Sequence, residues 1–240
     1  KYLYIALYLL AMNCNQDKVS PVNNIYYEQI QEKLILAQPG DTIFLPEGKI
    51  HLKRSLWADN LKNVIITGYG MDNTIISFKN QIEGAEGLKI TNSSNIILKD
   101  FTIQDTKGDL IKAEDVSNIS FINIKCEWTG RPKKTNGAYG LYPVKSDNIL
   151  IDNCLAIGAS DAGIYVGQSR DIIVRNSEAY HNVAGIEIEN STNADVYNNF
   201  SHNNSGGILI FDLPDLEVKS GENIRVFNNI ILENNIRNFA

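Results

Sequence analysis

Lys112, Tyr142, Tyr165 and Glu187 bring together a cation, two phenols and a carboxylate, and each is the middle residue of an apolar-x-apolar triplet. Such a set can move a proton beside a negatively charged group. Taking the C5 proton of a uronic sugar, for β-elimination or epimerisation, needs a cation to neutralise the sugar's carboxylate, a base, and an acid on the other side. Lys112, Lys145 or Arg131 would supply the cation, and Tyr142, Tyr165 or His181 would transfer the proton. A phenol needs a cationic neighbour to lower its pKa, and Lys112 is placed to be one. Hydrolysis would instead need two carboxylates about 5.5 Å apart, or roughly 6.5–9.5 Å for inversion. Glu187 and Glu189 point the same way on one segment, roughly 6.7 Å apart at the backbone, and form a single weak pair. Asp161 and Asp212 fall at other positions of the pattern. His181 and His202 lie near corresponding turns but are offset by one position, so no metal pair is predicted and no cofactor is expected.

The same outward position recurs as Trp57, Lys89, Lys112, Tyr142, Tyr165, Glu187 and Leu209. If these residues stack at the spacing of paired strands, about 4.8 Å, Lys112 to Glu187 spans roughly 14 Å, the footprint of a few sugar units. Aromatic faces suit sugar rings, and a cation suits an acidic sugar's carboxylate. The plain alternative is a solvated strand face with cross-strand aromatic pairs. Two segments break the pattern, 128–136 and 211–221, and insertions of this kind often carry binding. They are expected to flank the face, with Trp128 and Phe211 approaching one groove. The substrate-binding set expected is therefore Arg131, Lys145, Glu187, Glu189, Trp128 and Asp212, with Lys133 and Lys134 beside Arg131.

What must position these side chains is a repeat. The frame Asn-apolar-x-apolar-x-Asn begins at Asn95, Asn118, Asn148, Asp171, Asn193 and Asn223, with starts 23, 30, 23, 22 and 30 residues apart. Such a period marks a solenoid, and the two long gaps read as one coil plus an inserted loop. Large aliphatics (Leu56, Leu88, Ile111, Leu141, Ile164, Ile186, Ile208) alternate with Ala58, Ile90, Ala113, Pro143, Val166, Ile188 and Ile210 two residues on. Period-two alternation marks strands with one face inward, so these are predicted core. The second Asn of the frame gives Asp100, Asn123, Asn153, Asn176, Asn198 and Asn228. Asn tolerates the left-handed backbone of a tight turn, and its amide can bond the next Asn up the stack, so this column is a fold device. The expected architecture is all-β, a single-stranded right-handed parallel β-helix. A capping helix over 24–37, with Ile25, Ile30, Leu34 and Ile35 or Leu36 on one side, precedes it.

The chain has 240 residues, 43% of them apolar, and a net charge of −6. That is enough to build one domain over 24–240, and the charge argues against a general nucleic-acid binder. Lys1, the apolar run 2–12, Cys14 and the polar stretch from Asn15 read as an export signal over 1–14 with a linker over 15–23. A Cys at the cleavage point resembles a bacterial lipoprotein signal, so a lipid on Cys14 is the one membrane contact expected. The protein would then sit in the cell envelope, or free in the periplasm or outside. Cys126 and Cys154 fall at different points of the repeat and are expected as buried free thiols. The last repeat stops part-way round a coil at Ala240, so further coils are expected beyond it.

The helix followed by the Gly-Asp-Thr-Ile-x-Leu-Pro-x-Gly strand at 40–48 resembles the N-terminal cap of pectate-lyase-like right-handed β-helix proteins. The strand from Tyr139 to Lys145 resembles one at the active site of mannuronan C5-epimerases, with Tyr142, Val144 and Lys145 where those enzymes carry Asp, His and an acidic residue. The runs at 137–144, 160–169, 184–191 and 206–214 are similar to those of a group of bacterial β-helix-repeat proteins. The resemblance implies the fold and, through the epimerases, a polysaccharide. On these grounds the chain is expected to grip or modify an acidic polysaccharide as a lyase or epimerase, with a non-catalytic envelope scaffold as the rival. An enzyme should place a Tyr or His beside a cation between the two loops. A scaffold should present a flat, solvated face.

Overall fold

The computed structural model describes residues 21–240 apart from Arg131. Cys14, the apolar run before it and the linker therefore lie outside the described residues, as does the Arg131 side chain. The chain winds as a right-handed coil of three strands per turn. One turn comprises Leu141–Val144, Asp147–Asp152 and Leu155–Ile157, and the next Ala162–Gly167, Arg170–Arg175 and Glu178–Tyr180. Ala184–Glu189, Thr192–Tyr197 and Phe200–His202 follow, then Gly206–Phe211, Glu222–Phe227 and Ile230–Leu232. Each strand pairs in parallel with the strand one turn earlier and one turn later, so the coil has three sheet faces. Two long strands, Glu83–Gln104 and Ile111–Glu127, run round the corners through all three faces.

Left-handed corner residues let the strand direction turn. One corner is made by Asn95, Asn118, Asn148, Asp171, Asn193 and Asn223, whose φ values lie between 52° and 58°. Their amides stack, Asn118 Nδ2 donating to Asn95 Oδ1 at 2.9 Å and Asn223 Nδ2 to Asn193 Oδ1 at 3.2 Å. The stack expected in the frame's other Asn column is present too, Asn123 Nδ2 donating to Asp100 Oδ1 at 2.7 Å and Asn153 Nδ2 to Asn123 Oδ1 at 3.3 Å. A second such corner carries Asp100, Asn123, Asn153, Asn176, Asn198 and Asn228. A third, at the end of the face bearing Tyr142 and Tyr165, is made by Asp115, Lys145, Gln168 and Asn190, with φ of 57°, 50°, 50° and 44°.

The inward columns bury as the alternation predicts as far as Ile188, with Leu88, Ile111, Leu141, Ile164 and Ile186 no more than 3% exposed, whereas Ile208 is half-buried and Ile210 is exposed. Cys126 and Cys154 are buried and free. The repeat frame does not flag a second, internal polar ladder. Asn182 and Asn204 are fully buried, Asn182 Nδ2 donating to Asn204 Oδ1 at 3.1 Å and Asn204 Nδ2 to Asn234 Oδ1 at 2.8 Å. These amides also bond inward backbone carbonyls, so both buried side chains are paired, as a dry interior requires.

The helix Pro21–Leu36 covers the first layer. Its buried face is Tyr27, Ile30, Gln31 and Leu34, while Ile25, Ile35 and Leu36 are exposed. The apolar face expected from the sequence is corrected here, because Ile25 and Ile30 are five residues apart, off a single helical stripe. Gln31 enters the interface for its amide. Its Nε2 donates to the Trp57 carbonyl at 2.8 Å and its Oε1 accepts the Trp57 N–H at 3.1 Å. The side chain thus pairs with the edge strand Arg54–Asp59 as a neighbouring strand would. In the turn from Gly206 to Leu232, Ile210, Val226, Phe227 and Ile231 are each 40% exposed or more.

Candidate functional site

The sheet register aligns the outward column turn by turn: Trp57 with Lys89, Lys89 with Lys112, Lys112 with Tyr142, Tyr165 with Glu187, and Glu187 with Leu209. Outward does not mean solvated. Tyr139, two residues before the strand Leu141–Val144, folds over it and joins Tyr142 and Tyr165 in one aromatic cluster. Ring centroids lie 4.5 Å apart for Tyr139–Tyr142 and Tyr139–Tyr165, and 5.0 Å for Tyr142–Tyr165. Under the cluster Tyr165 is 5% exposed, Glu187 8% and Glu189 6%.

A missing side chain makes this arrangement possible. A Cβ on Gly167 would stand 2.3 Å from the Tyr165 hydroxyl. With hydrogen there, the ring lies along its own strand and its hydroxyl donates to Glu189 Oε2 at 3.0 Å. At the other edge the Tyr139 N–H donates to Asp109 Oδ1 at 3.2 Å, and its hydroxyl bonds the Asp161 carboxyl. Four carboxyls, Asp109, Asp161, Glu187 and Glu189, thus border three phenols.

Burial governs their charge. It lifts Glu187 to about 7, with Asp161 and Glu189 adding like-charge repulsion, and lifts Asp109 to about 6. Asp161 and Glu189 are raised for the same first reason, while hydrogen bonds from Tyr139 and Tyr165 work in the other direction. The phenols move away from ionisation. Tyr142 is pushed up to about 12 by burial and by Asp109, Glu114 and Glu189, and Tyr139 and Tyr165 stand well above the usual phenol range. Lys112 does lie over the Tyr142 ring, its Nζ 5.1 Å from the centroid. Its charge is engaged by Glu114 at 3.2 Å, which also holds Lys89 at 3.5 Å. The expectation that Lys112 lowers the Tyr142 pKa is corrected: burial, with the surrounding carboxylates adding to it, outweighs one paired cation. The groups that exchange a proton near neutrality here are Glu187 and Asp109, above all Glu187.

The structure brings Lys112, Tyr142, Tyr165, Glu187 and Glu189 together, and it sets the other expected residues elsewhere. His181 is an exposed left-handed corner residue between the strands Glu178–Tyr180 and Ala184–Glu189, its ring against Tyr180 at 5.0 Å. Trp128 is not a platform beside Phe211. It is 5% exposed, belongs to the main core and donates from Nε1 to the Thr106 carbonyl at 2.9 Å. Asp212 closes the base of its loop, accepting the Gly221 N–H at 2.9 Å. Lys145 sits on the corner after the face and pairs with Glu217 at 2.6 Å. Sequence reasoning missed Tyr139 and Asp109. They occupy equivalent positions two residues before Leu141 and Ile111, a column just outside the alternating triplets, which is why the pattern passes over them. Among the described residues no group of three or more His, Cys, Asp or Glu is arranged to hold a metal.

The loop after Phe211 reaches back over three turns along the third corner. Asn190 anchors its base, donating to the Leu213 and Val218 carbonyls at 2.9 and 2.8 Å and accepting the Leu213 N–H at 2.8 Å. Gln168 Oε1 accepts the Glu217 N–H at 3.1 Å. The loop therefore forms a fixed wall on one side of the tyrosine–carboxyl face.

The family model described as the right handed beta helix region matches residues 86–239, more than half of the chain. The chain belongs to that family. It is 27% identical over 236 residues to the pre-neck appendage protein of Bacillus phage B103, covering 83% of this chain and 26% of that protein. The match to the phi29 pre-neck appendage protein is also 27% identical, over 210 residues, covering 72% and 24%. The chain thus spans about a quarter of the length of the curated relatives it matches. Among solved structures, pectate lyase Pel9A superimposes with a TM-score of 0.54 at 13% identity, covering 82% of this chain and 73% of that one. The alginate lyase of Paenibacillus sp. str. FPU-7 gives 0.50 at 16% identity, covering 73% and 74%. At such identities these likenesses carry the pectate-lyase-like β-helix fold alone.

Proposed function

We propose that this β-helix protein holds a polysaccharide across the Tyr139–Tyr142–Tyr165 cluster and cleaves a glycosidic bond by proton transfer from the carboxyls around it. The observation that carries the reading is Glu187, a largely buried carboxyl held at about 7 beside the aromatic cluster and two residues from a second carboxyl, Glu189. A general acid works best with a pKa near the operating pH, and aromatic faces stack on sugar rings. Two outward carboxyls on one strand, roughly 6.7 Å apart at the backbone, suit an acid paired with a base or nucleophile. Two of the solved structures sharing the fold are named as lyases of pectate and alginate, which supports a polysaccharide as the ligand.

The Lys89–Lys112 end of the face favours a second reading, in which the polymer is acidic and the reaction is elimination or epimerisation. Both ammonium groups there lie within 3.5 Å of one carboxylate, Glu114, which a sugar carboxylate could replace. The two readings separate in a proton NMR time course against neutral polysaccharides and polyuronates. New reducing-end signals, lost in Glu187→Gln, support hydrolysis. Unsaturated-sugar or altered epimer signals support the second reading, and no change in any polymer leaves binding or scaffolding, in keeping with the appendage relatives. Export with a lipid on Cys14 belongs to the same proposal. Radiolabelled palmitate should enter the full-length protein in a bacterial host and be absent from Cys14→Ser.

A further inference from the structure

Beside the tyrosine face, under the loop after Phe211, lies a cavity of about 420 Å³ lined by Lys145, Arg170, Asp115, Asp147 and Glu217 among others. The volume is in the range of small-molecule sites, roughly 300–1,000 Å³. We propose that this cavity is a subsite for a carboxylate-bearing sugar, with Lys145 and Arg170 receiving the carboxylate and Glu217 acting as its internal surrogate. The proposal rests on the reading of the neighbouring face as polysaccharide-binding and names one class of sugar it takes.

Three observations carry it. First, a carboxylate already meets Lys145 at this place: Glu217 Oε2 lies 2.6 Å from Nζ. Second, that contact does not hold the loop. Asn190, fully buried, and Gln168 fix the loop through hydrogen bonds to its backbone. The Glu217 side chain is 74% exposed and can swing into water when a ligand carboxylate takes Lys145. Exposed ion pairs are weak and exchange readily. Third, Arg170 lines the same cavity, is exposed, and enters no ion pair among the described residues. Its planar guanidinium suits a carboxylate, while Asp115 and Asp147 can accept sugar hydroxyls. Lys145 follows Tyr142 by three residues on the same strand and its corner, roughly 10 Å of backbone. One polymer can therefore stack on Tyr139 and Tyr142, the half-buried members of the cluster, and present its next acidic unit to the cavity.

The test is titration calorimetry of the full chain with galacturonate and galactose tetramers, which differ only at C6, and with inorganic phosphate. The galacturonate tetramer should bind at least tenfold more tightly than the galactose tetramer. Lys145→Gln and Arg170→Gln should each remove most of that preference while leaving the galactose tetramer unchanged. Arg170→Gln guards against a disturbed loop, since Arg170 takes no part in the loop's side-chain hydrogen bonds. Glu217→Gln should tighten galacturonate several-fold by removing the competitor. Equal binding of both tetramers, an unchanged or weakened Glu217→Gln, or phosphate competing as well as galacturonate would overturn the proposal. Turnover of a neutral polymer without galacturonate preference would overturn this subsite alone. No binding to any polymer would overturn the reading of the face as well.

Discussion

The proton on Glu187 couples the site to the stability of the whole chain. Its carboxyl rises from 4.5 to about 7 on folding, so between those values the folded state holds a proton that the unfolded state has released. Stability is then fullest below about pH 4.5 and is lost as pH rises through 7, by up to about 3 kcal/mol and less to the extent that solvent reaches the site. Asp109, lifted to about 6, acts in the same direction. Urea midpoints measured from pH 5 to 8 should fall for the native chain and fall less steeply for Glu187→Gln. Gly167→Ala tests the geometry beneath. The new methyl would collide with the Tyr165 hydroxyl, so the Tyr165–Glu189 bond should break, at a cost of about 1–3 kcal/mol. A thermal unfolding curve superimposable on that of the native protein would contradict this account. These features were hard to read in the sequence because its alternation reports which way a side chain points, not what folds over it. Tyr139 covers the carboxyls from outside the repeat, and Gly167 matters for what it lacks.

Among the elements, the capping helix and the internal Asn ladder make the sharpest demands. Gln31→Leu keeps the helix apolar but leaves the Trp57 N–H and carbonyl without their partner, and should cost about 1–3 kcal/mol by the penalty for unpaired buried polar groups. Asn204→Ala removes donors to Asn234 and to the Ala179 carbonyl and the acceptor for Asn182, and belongs in the same range or above. Asn118→Ala, in the exposed outer ladder, should cost less, although each is an asparagine in a stacked column. Chemical denaturation of the three variants ranks them directly. The outer ladder was legible from its fixed place in the frame. The inner one escaped because its members sit in a shorter, irregular part of the coil where Ala159 takes the place of Asn182 one turn earlier. Trp128 was misread for a related reason. The first residue of an insertion was taken as part of the loop, whereas its indole turns back into the core.

For the molecule as a whole, the core was the most legible part, since every turn repeats one inward pattern and the register never slips between Ile111 and Ile210. Repetition also sets how the fold comes apart. Each turn is stabilised by its two neighbours, so loss of structure should start at a terminal layer and spread inward. Amide hydrogen exchange should accordingly be slowest in the turns from Ile111 to Glu189, which have a paired turn on either side.

The two lengthened turns interrupt the coil at opposite corners of the same face: 128–140 enters before the tyrosine strand, and 212–221 leaves after the strand Gly206–Phe211. Neither disturbs the pairing of the strands on either side. Selection can therefore lengthen, shorten or recharge the 212–221 wall while the ladder beneath stays as it is, whereas 128–140 is bounded by Trp128 in the core and Tyr139 in the aromatic cluster. A scaffold of this kind separates the residues that must not change from those free to follow a new ligand. Exchanging the 212–221 segment for one of different charge offers a route to retargeting the face without redesigning the coil.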